Sequence, residues 1–458
     1  MPGAGIAVND HGPSPGYAWY TVVLCMVAYI FSFVDRQITA LLIEPIRADL
    51  GISDTQFSLI HGLAFAFFYA LMGIPIARLA DTRSRPLIIA VGIFLWSIAT
   101  AACGLTRNFW QLFAARMAVG CGEAALSPTA YSIIADSFPK SRLGLALGVY
   151  SIGSFIGAGL AFLIGGAVIE VVTGIGALDL PVLGTVRPWQ MTFFIVGLPG
   201  IAIAAVFYFT VRDPERKGVR AGVSGDGQPG YRPYSIGEVA DYISSHRSTF
   251  LAHYLGFGCL ALSLFALLTW APAFLFRNYG LSAKEAGVYL GLLVLISNPA
   301  GVLTSGWLAD YFTRRGIADA AMRAGLIGGL GVVLPGAAFS SMPDLGTTLT
   351  VLALAMYFAS FPLATSAAAL QLMAPNQMRA QVTALFFLSM TIIGITGGAT
   401  LVALCTDYLL GQEHLVGYSM SLISSSSGIA GALLLGAGLK HYRSTVAASS
   451  VFALTARS

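Results

Sequence analysis

Twelve stretches of about 20 predominantly apolar residues follow one another along this chain, and about 20 such residues are what an α-helix needs to cross a bilayer. They begin near Tyr17, Thr55, Pro86, Phe109, Ser141, Pro188, Ser248, Lys284, Ala321, Gly346, Met378 and Gly417. The expectation is an all-α membrane protein of twelve transmembrane helices. Composition agrees, because 10% of the residues are charged where a soluble domain has roughly 25%. An even number of spans puts both termini on one side.

The loops decide which side, since cytoplasmic loops are enriched in Lys and Arg. One set of loops holds Arg47, Arg107, Arg187, Arg277 and Lys284, and Arg36 and Arg116 fall inside spans. The remaining eighteen of the 25 basic residues lie on the side of the termini, which predicts cytoplasmic ends. Residues 1–16 are rich in Pro and Gly without Lys or Arg and read as a disordered, uncleaved tail. The longest polar segment, 212–247, reads as a cytoplasmic linker between six-helix bundles at 17–211 and 248–440, with a second tail at 441–458.

An internal repeat supports this division. Ala77, Asp81 and Arg85 follow the second span as Gly306, Asp310 and Arg314 follow the eighth, and the two aspartates are 229 residues apart, half of 458. A small residue four before an Asp lets helices approach closely. A solvated basic loop would account for the arginines but not for the half-length repeat.

Four charges inside the spans are the strongest functional signal, because an ionisable group at membrane depth costs at least about 2.5–3.5 kcal/mol and marks a functional site. Asp35 lies seven residues before the outer end of the first span, and Arg116 seven residues below the same surface in the fourth, about 10 Å in each case. Asp35, Arg36 and Arg116 can therefore share one layer, with Glu123 a turn or two deeper. Arg116 and Glu123 fall on one face of their helix, since seven residues make about 700°. Asp35 and Arg36 point about 100° apart, so the reading gives Asp35 an arginine partner and leaves Arg36 to line the cavity. Protonating one of the two acids leaves a net positive site for an anion, and deprotonation restores competing pairs. Glu123 and Asp35 are the proton-coupling candidates, Arg36 and Arg116 the anion-binding ones. A purely structural ion pair is the alternative.

Other signals are weaker. His61 and His253 read as structural or interfacial, Pro362 with Thr365 and Ser366 as a bend in the tenth span, and the glycines of the fifth span as a close-packing surface. Phe265 and Trp270 stand on an apolar seventh span suited to a lipid tail. The five cysteines show no CxxC spacing and read as free thiols. A small net charge of +4 with scattered basic residues excludes a nucleic-acid partner. No HExxH or Ser–His pairing within a span points to an enzyme, and no cofactor or metal is expected.

Twelve spans, the long central loop and the paired Asp–Arg loops resemble the major facilitator superfamily, although Ala77, Thr82 and Ser84 depart from its loop pattern. That resemblance implies two pseudo-symmetric six-helix halves, with Asp81, Arg85, Asp310 and Arg314 as gating residues. Asp35 and Arg36 in the first span, with Arg116, Gly120, Gly122 and Glu123 in the fourth, resemble the spinster branch. This implies a proton-linked transporter of a lipid phosphate such as sphingosine-1-phosphate or a lysophospholipid, with those four charges at its site; export by a monomer is the expectation, and the lack of Asn-x-Ser/Thr sequons fits a bacterial inner membrane. The alternative is a proton-coupled organic-acid or sugar-acid transporter of the same superfamily.

Overall fold

The structure is a computed structural model that describes residues 14–181, 184–216, 236–374 and 378–455. Most of the expected N-terminal tail, and residues 217–235 of the expected linker, lie outside the described residues. Several helices start where the chain supplies a cap or a proline. Ser53 and Ser282 form reciprocal caps with Gln56 and Glu285, Asn108 and Asp344 accept from the backbone N–H three residues on, and Pro188 opens the sixth span.

Among the described residues, eleven helices are long and apolar enough to cross a membrane: Pro15–Leu41, Asp54–Ala80, Arg85–Cys103, Arg142–Ile175, Pro188–Thr210, Arg247–Tyr279, Ala283–Arg314, Ala320–Ser341, Leu345–Met373, Gln381–Leu410 and Glu413–Ala448. The twelfth span is the fourth in chain order, and it is broken. Its two helices, Phe109–Glu123 and Leu126–Ser137, part at Ala124 and Ala125, directly after the deepest charge. The second and eleventh spans carry π-turns, at Leu59–Ala64 in the second and at Thr391–Thr396 and Cys405–Leu410 in the eleventh.

The twelve spans form the two six-helix halves of the expected fold. Two details differ from the expectation. The last helix runs Val416–Thr455, so the chain past residue 440 continues the helix instead of forming a tail. Within the linker, Ile236–Ser245 is an amphipathic helix whose Val239 is buried and whose Tyr242 hydroxyl donates to the Met373 carbonyl at 2.8 Å. The linker's last turn thus packs on the second half because its apolar face needs a wall.

The eighth span packs along the fifth, and this seam joins the halves. Gly159, Gly166, Gly287 and Gly291 line it; at Gly287 a Cβ would stand 2.3 Å from the Phe162 carbonyl. The fifth-span glycines therefore serve backbone approach between halves. These contacts fall in the part of both helices remote from the termini, called here the far face.

A buried charge site in the first half and a clasp at the far face

Asp35 and Arg36 diverge as adjacent helical residues must. Asp35, 2% exposed, turns to the third span, where the Thr100 hydroxyl donates to its Oδ2 at 3.2 Å. Arg36 turns to the fourth, where its Nε donates to Glu123 Oε2 at 2.7 Å and its Nη2 stands at the same distance. Ser32, one turn earlier, donates to the same oxygen at 2.6 Å and accepts from Arg36 Nη2 at 3.2 Å. Glu123, expected a turn or two below the arginine layer, is reached by the long Arg36 side chain.

Arg116 does not form the expected ion pair with a carboxylate. It is fully buried, and its Nη1 donates to the Asp35 backbone carbonyl at 3.2 Å. A long side chain two turns from the helix start reaches the first-span backbone before the Asp35 carboxylate, which points away to Thr100. Asp35 Oδ1, Arg116 Nε and Nη2, and Glu123 Oε1 are buried without hydrogen-bond partners. A buried polar atom left without a partner costs about 1–3 kcal/mol.

Aromatic rings surround the cations. The Arg36 guanidinium lies 4.9 Å from the Phe33 ring centroid, 4.6 Å from Phe65 and 4.9 Å from Tyr69. Gly120 makes this possible: a Cβ there would stand 2.4 Å from the Phe65 carbonyl, so only glycine lets the second span this close to the fourth. Arg36 keeps 16% of its side chain exposed while Glu123 keeps none.

Among the described residues, the hydrogen bonds and ring contacts of these four charges all come from the first half. Phe265 is half-buried beside Gly394. Trp270, expected against the substrate, is fully buried; its indole N–H donates to the Ala399 carbonyl at 2.9 Å, and its edge meets Phe57 across the halves. In this state it ties the seventh span to the eleventh. His253 bonds the Ser366 carbonyl at 2.9 Å, among the Phe257, Phe386 and Tyr254 rings. His61 is buried and stacks on Phe57.

Sequence reasoning missed a charge clasp at the far face. Arg277 of the second half places its fork on Asp54 of the first, at 2.7 and 2.8 Å, and bonds Glu44 at 2.7 Å. Arg47 of the first half returns the arrangement, with Glu413 of the second at 2.7 and 3.1 Å and Asp54 at 2.9 Å. Asp54 is fully buried between the two guanidiniums. Asp407 accepts from the Thr55 N–H and hydroxyl at 2.7 and 2.6 Å, capping the second span from the other half. Bidentate Arg–carboxylate pairs out of water are the strong class of ion pair, so the halves are closed together here. A signal was present: the few arginines on this face sit among Glu44, Asp54, Asp407 and Glu413.

At the opposite face, of the expected gating residues whose side chains are described, Arg85, Asp310 and Arg314 make no ion pair between the halves in this state. Arg85 is buried and pairs within the first half, with Asp136, with Asp213 at 2.7 Å, and with the Ser132 hydroxyl at 2.9 Å. Asp310 and Arg314 are exposed, and the side chain of Asp81 lies outside the described residues. In the second half the buried acid is Asp319, which holds Arg323 at 2.5 Å and Arg443 at 3.2 Å.

A helical membrane protein of two halves, clasped at one face around a buried charge site, has the architecture of an alternating-access transporter. The family model of the Major Facilitator Superfamily matches residues 25–399, and the chain belongs to that family. It is 29% identical over 442 residues to an MFS-type efflux pump of Mycolicibacterium smegmatis, covering 95% of each chain. It is 28% identical to the D-galactonate transporter of Escherichia coli, covering 66% of this chain and 69% of the relative. Among solved structures, a bacterial homologue of the human lysosomal transporter spinster, inward-facing and unoccupied, superimposes with a TM-score of 0.75 at 25% identity, covering 94% of this chain and 98% of that one.

Proposed function

We propose that this transporter exports an amphiphilic anionic lipid, of the lysophospholipid or sphingosine-1-phosphate type, in exchange for protons. One observation carries the reading: Arg36 is bonded to fully buried Glu123 yet keeps 16% of its own side chain exposed. A proton on Glu123 removes the charge that neutralises Arg36, whose planar fork then takes a phosphate. Loss of the proton returns Arg36 to Glu123 and expels the anion. Asp35 and Arg116 lie behind this pair as a second acid and a second cation, and Phe265 with the apolar second half receives the tail. The likeness to a spinster homologue supports the spinster-like branch, for which a lipid substrate is the expectation.

Both termini are cytoplasmic in this reading, in a bacterial inner membrane, and the protein acts as a monomer. The far-face clasp is then the outer gate, and the structure is the inward-facing state. Asp81, Arg85, Asp310 and Arg314 act when the opposite face closes. In proteoliposomes, Glu123→Gln is expected to abolish pH-driven transport while leaving lysolipid binding measurable; unchanged pH-driven transport rejects the assignment.

A sugar-acid or organic-acid substrate is the second reading, favoured by the likeness to the D-galactonate transporter. Thermal-shift screening of lysophosphatidate and sphingosine-1-phosphate against hexonates and hexuronates separates the two, because a bound ligand stabilises by mass action. Native mass spectrometry of the purified protein gives an independent answer through any co-purified lipid.

A further inference from the structure

The four charges were legible as charges, but an uncharged side chain touches both cations. The Phe65 ring centroid lies 4.6 Å from the Arg36 guanidinium and 5.5 Å from that of Arg116. Phe65 is 2% exposed and stacks on Tyr69, one turn on, which itself meets Arg36. Once Glu123 is protonated and no longer neutralises Arg36, the two like charges in a desolvated site repel unless another group of opposite polarity lies beside them. A ring face is such a group, and its attraction for a cation grows as water is removed.

The position of the ring depends on a backbone irregularity. Phe65 is the first residue after the π-turn Leu59–Ala64. A π-turn adds one residue to the ladder, so all that follows is rotated by about 100° relative to an uninterrupted helix. Without it, Phe65 and Tyr69 would leave the arginines together. The same turn contains Gly62, which packs on Ala399 and Thr396 of the eleventh span across the halves. A single stretch of the second span therefore touches the joint between halves with one side chain position and the anion-binding cations three residues later.

We infer that Phe65 is a positioning residue for the anion site: its ring holds Arg36 and Arg116 together as a two-cation pocket, and the π-turn ties that hold to the contact between the halves. This rests on the reading of Arg36 and Arg116 as anion-binding. The role is electrostatic and not only steric, which the test exploits.

Phe65 is replaced in the full-length transporter by mono-, di- and trifluorophenylalanine, which keep the ring's shape while draining its face of negative potential, and separately by Leu. Transport of lysophosphatidate and of D-galactonate is measured in proteoliposomes. The expected result is a KM for the transported anion that rises stepwise with fluorination, to about tenfold at trifluoro, with kcat within twofold and the melting temperature in detergent unchanged. A flat KM across the fluorinated series overturns the inference. Should the wild type carry neither anion, the anion reading fails by itself, and phenylglyoxal labelling of Arg36, read by peptide mass spectrometry, decides the positioning role. Phe65→Leu raising that labelling severalfold supports it; equal labelling overturns it.

Discussion

The two halves share a fold and differ in what they bury. The first half buries Asp35, Arg116 and Glu123, with further partnerless polar atoms on Thr39, His61, Trp96, Ser97 and Thr129. The second half buries many hydroxyls and satisfies them locally: Ser263 donates to the Ser424 carbonyl, Thr365 to Phe361, and Ser366 to Pro362. Among the described residues, its buried side-chain atoms without a hydrogen-bond partner belong to His253, Asn298 and Asp319, the last of them ion-paired with Arg443 at 3.2 Å. A satisfied hydroxyl is packing; a partnerless charge is stored free energy. The two halves thus differ in their buried charges: Asp35, Arg116 and Glu123 of the first keep partnerless polar atoms, while Asp319 of the second is ion-paired with Arg323 and Arg443.

The largest expected effect tests the charged half. Arg36→Ala leaves Glu123 buried without its partner and is expected to destabilise by about 3–5 kcal/mol, read as thermal unfolding in detergent. Arg36→Met with Glu123→Leu is expected to recover most of that stability and none of the transport. If the double variant still transports, the contrast between the halves has no functional content.

The clasp where the halves meet comes next. Arg277→Gln removes both bonds to buried Asp54 and is expected to shift the population toward far-face opening by about 2–3 kcal/mol. Spin labels at the exposed positions Ala48 and Gln412 would then report a longer-distance population by pulsed electron resonance. An unchanged distance distribution would assign closure to the fifth and eighth spans alone.

A smaller effect belongs to the second half. Trp270→Phe leaves the Ala399 carbonyl without its side-chain donor and is expected to cost about 1–2 kcal/mol of stability while leaving KM within twofold. A large KM change would return Trp270 to the substrate pocket.

The smallest effect lies at the far-face loop before the tenth span. Backbone bonds from Thr347 hold the Asp344 carboxyl below its ordinary range. A depressed acid contributes stability above its unfolded pKa and loses it as pH falls through the folded one. Asp344→Ala is therefore expected to lower the melting temperature slightly at pH 7, and by less at pH 3.

How much of this was legible follows the range of each interaction. Span starts such as Phe109 and Pro188 depend on local capping and appear in the chain as they do in the structure. The shared depth of Asp35 and Arg116 needed only counting along helices. Partners were not legible, because depth fixes height and not direction: Arg116 meets a backbone carbonyl, and Arg36 meets Glu123. The break at Ala124 was announced by Pro128, which has no N–H to give the Ala124 carbonyl four residues earlier and whose ring clashes with it, whereas the π-turn at Leu59–Ala64 has no residue signature. The clasp joins residues such as Arg47 and Glu413, 366 positions apart, and each alone resembles an ordinary loop charge.

The length of the last helix carries a practical meaning. Val416–Thr455 contains 40 residues, about 60 Å at 1.5 Å per residue, against a hydrocarbon core of about 30 Å. It is therefore about twice as long as the core is thick, and Tyr442 and Thr445 hold its later turns against the second half. A fluorophore or nanobody epitope placed on its tip would sweep through an arc as that half rocks, turning each transport cycle into a readable displacement.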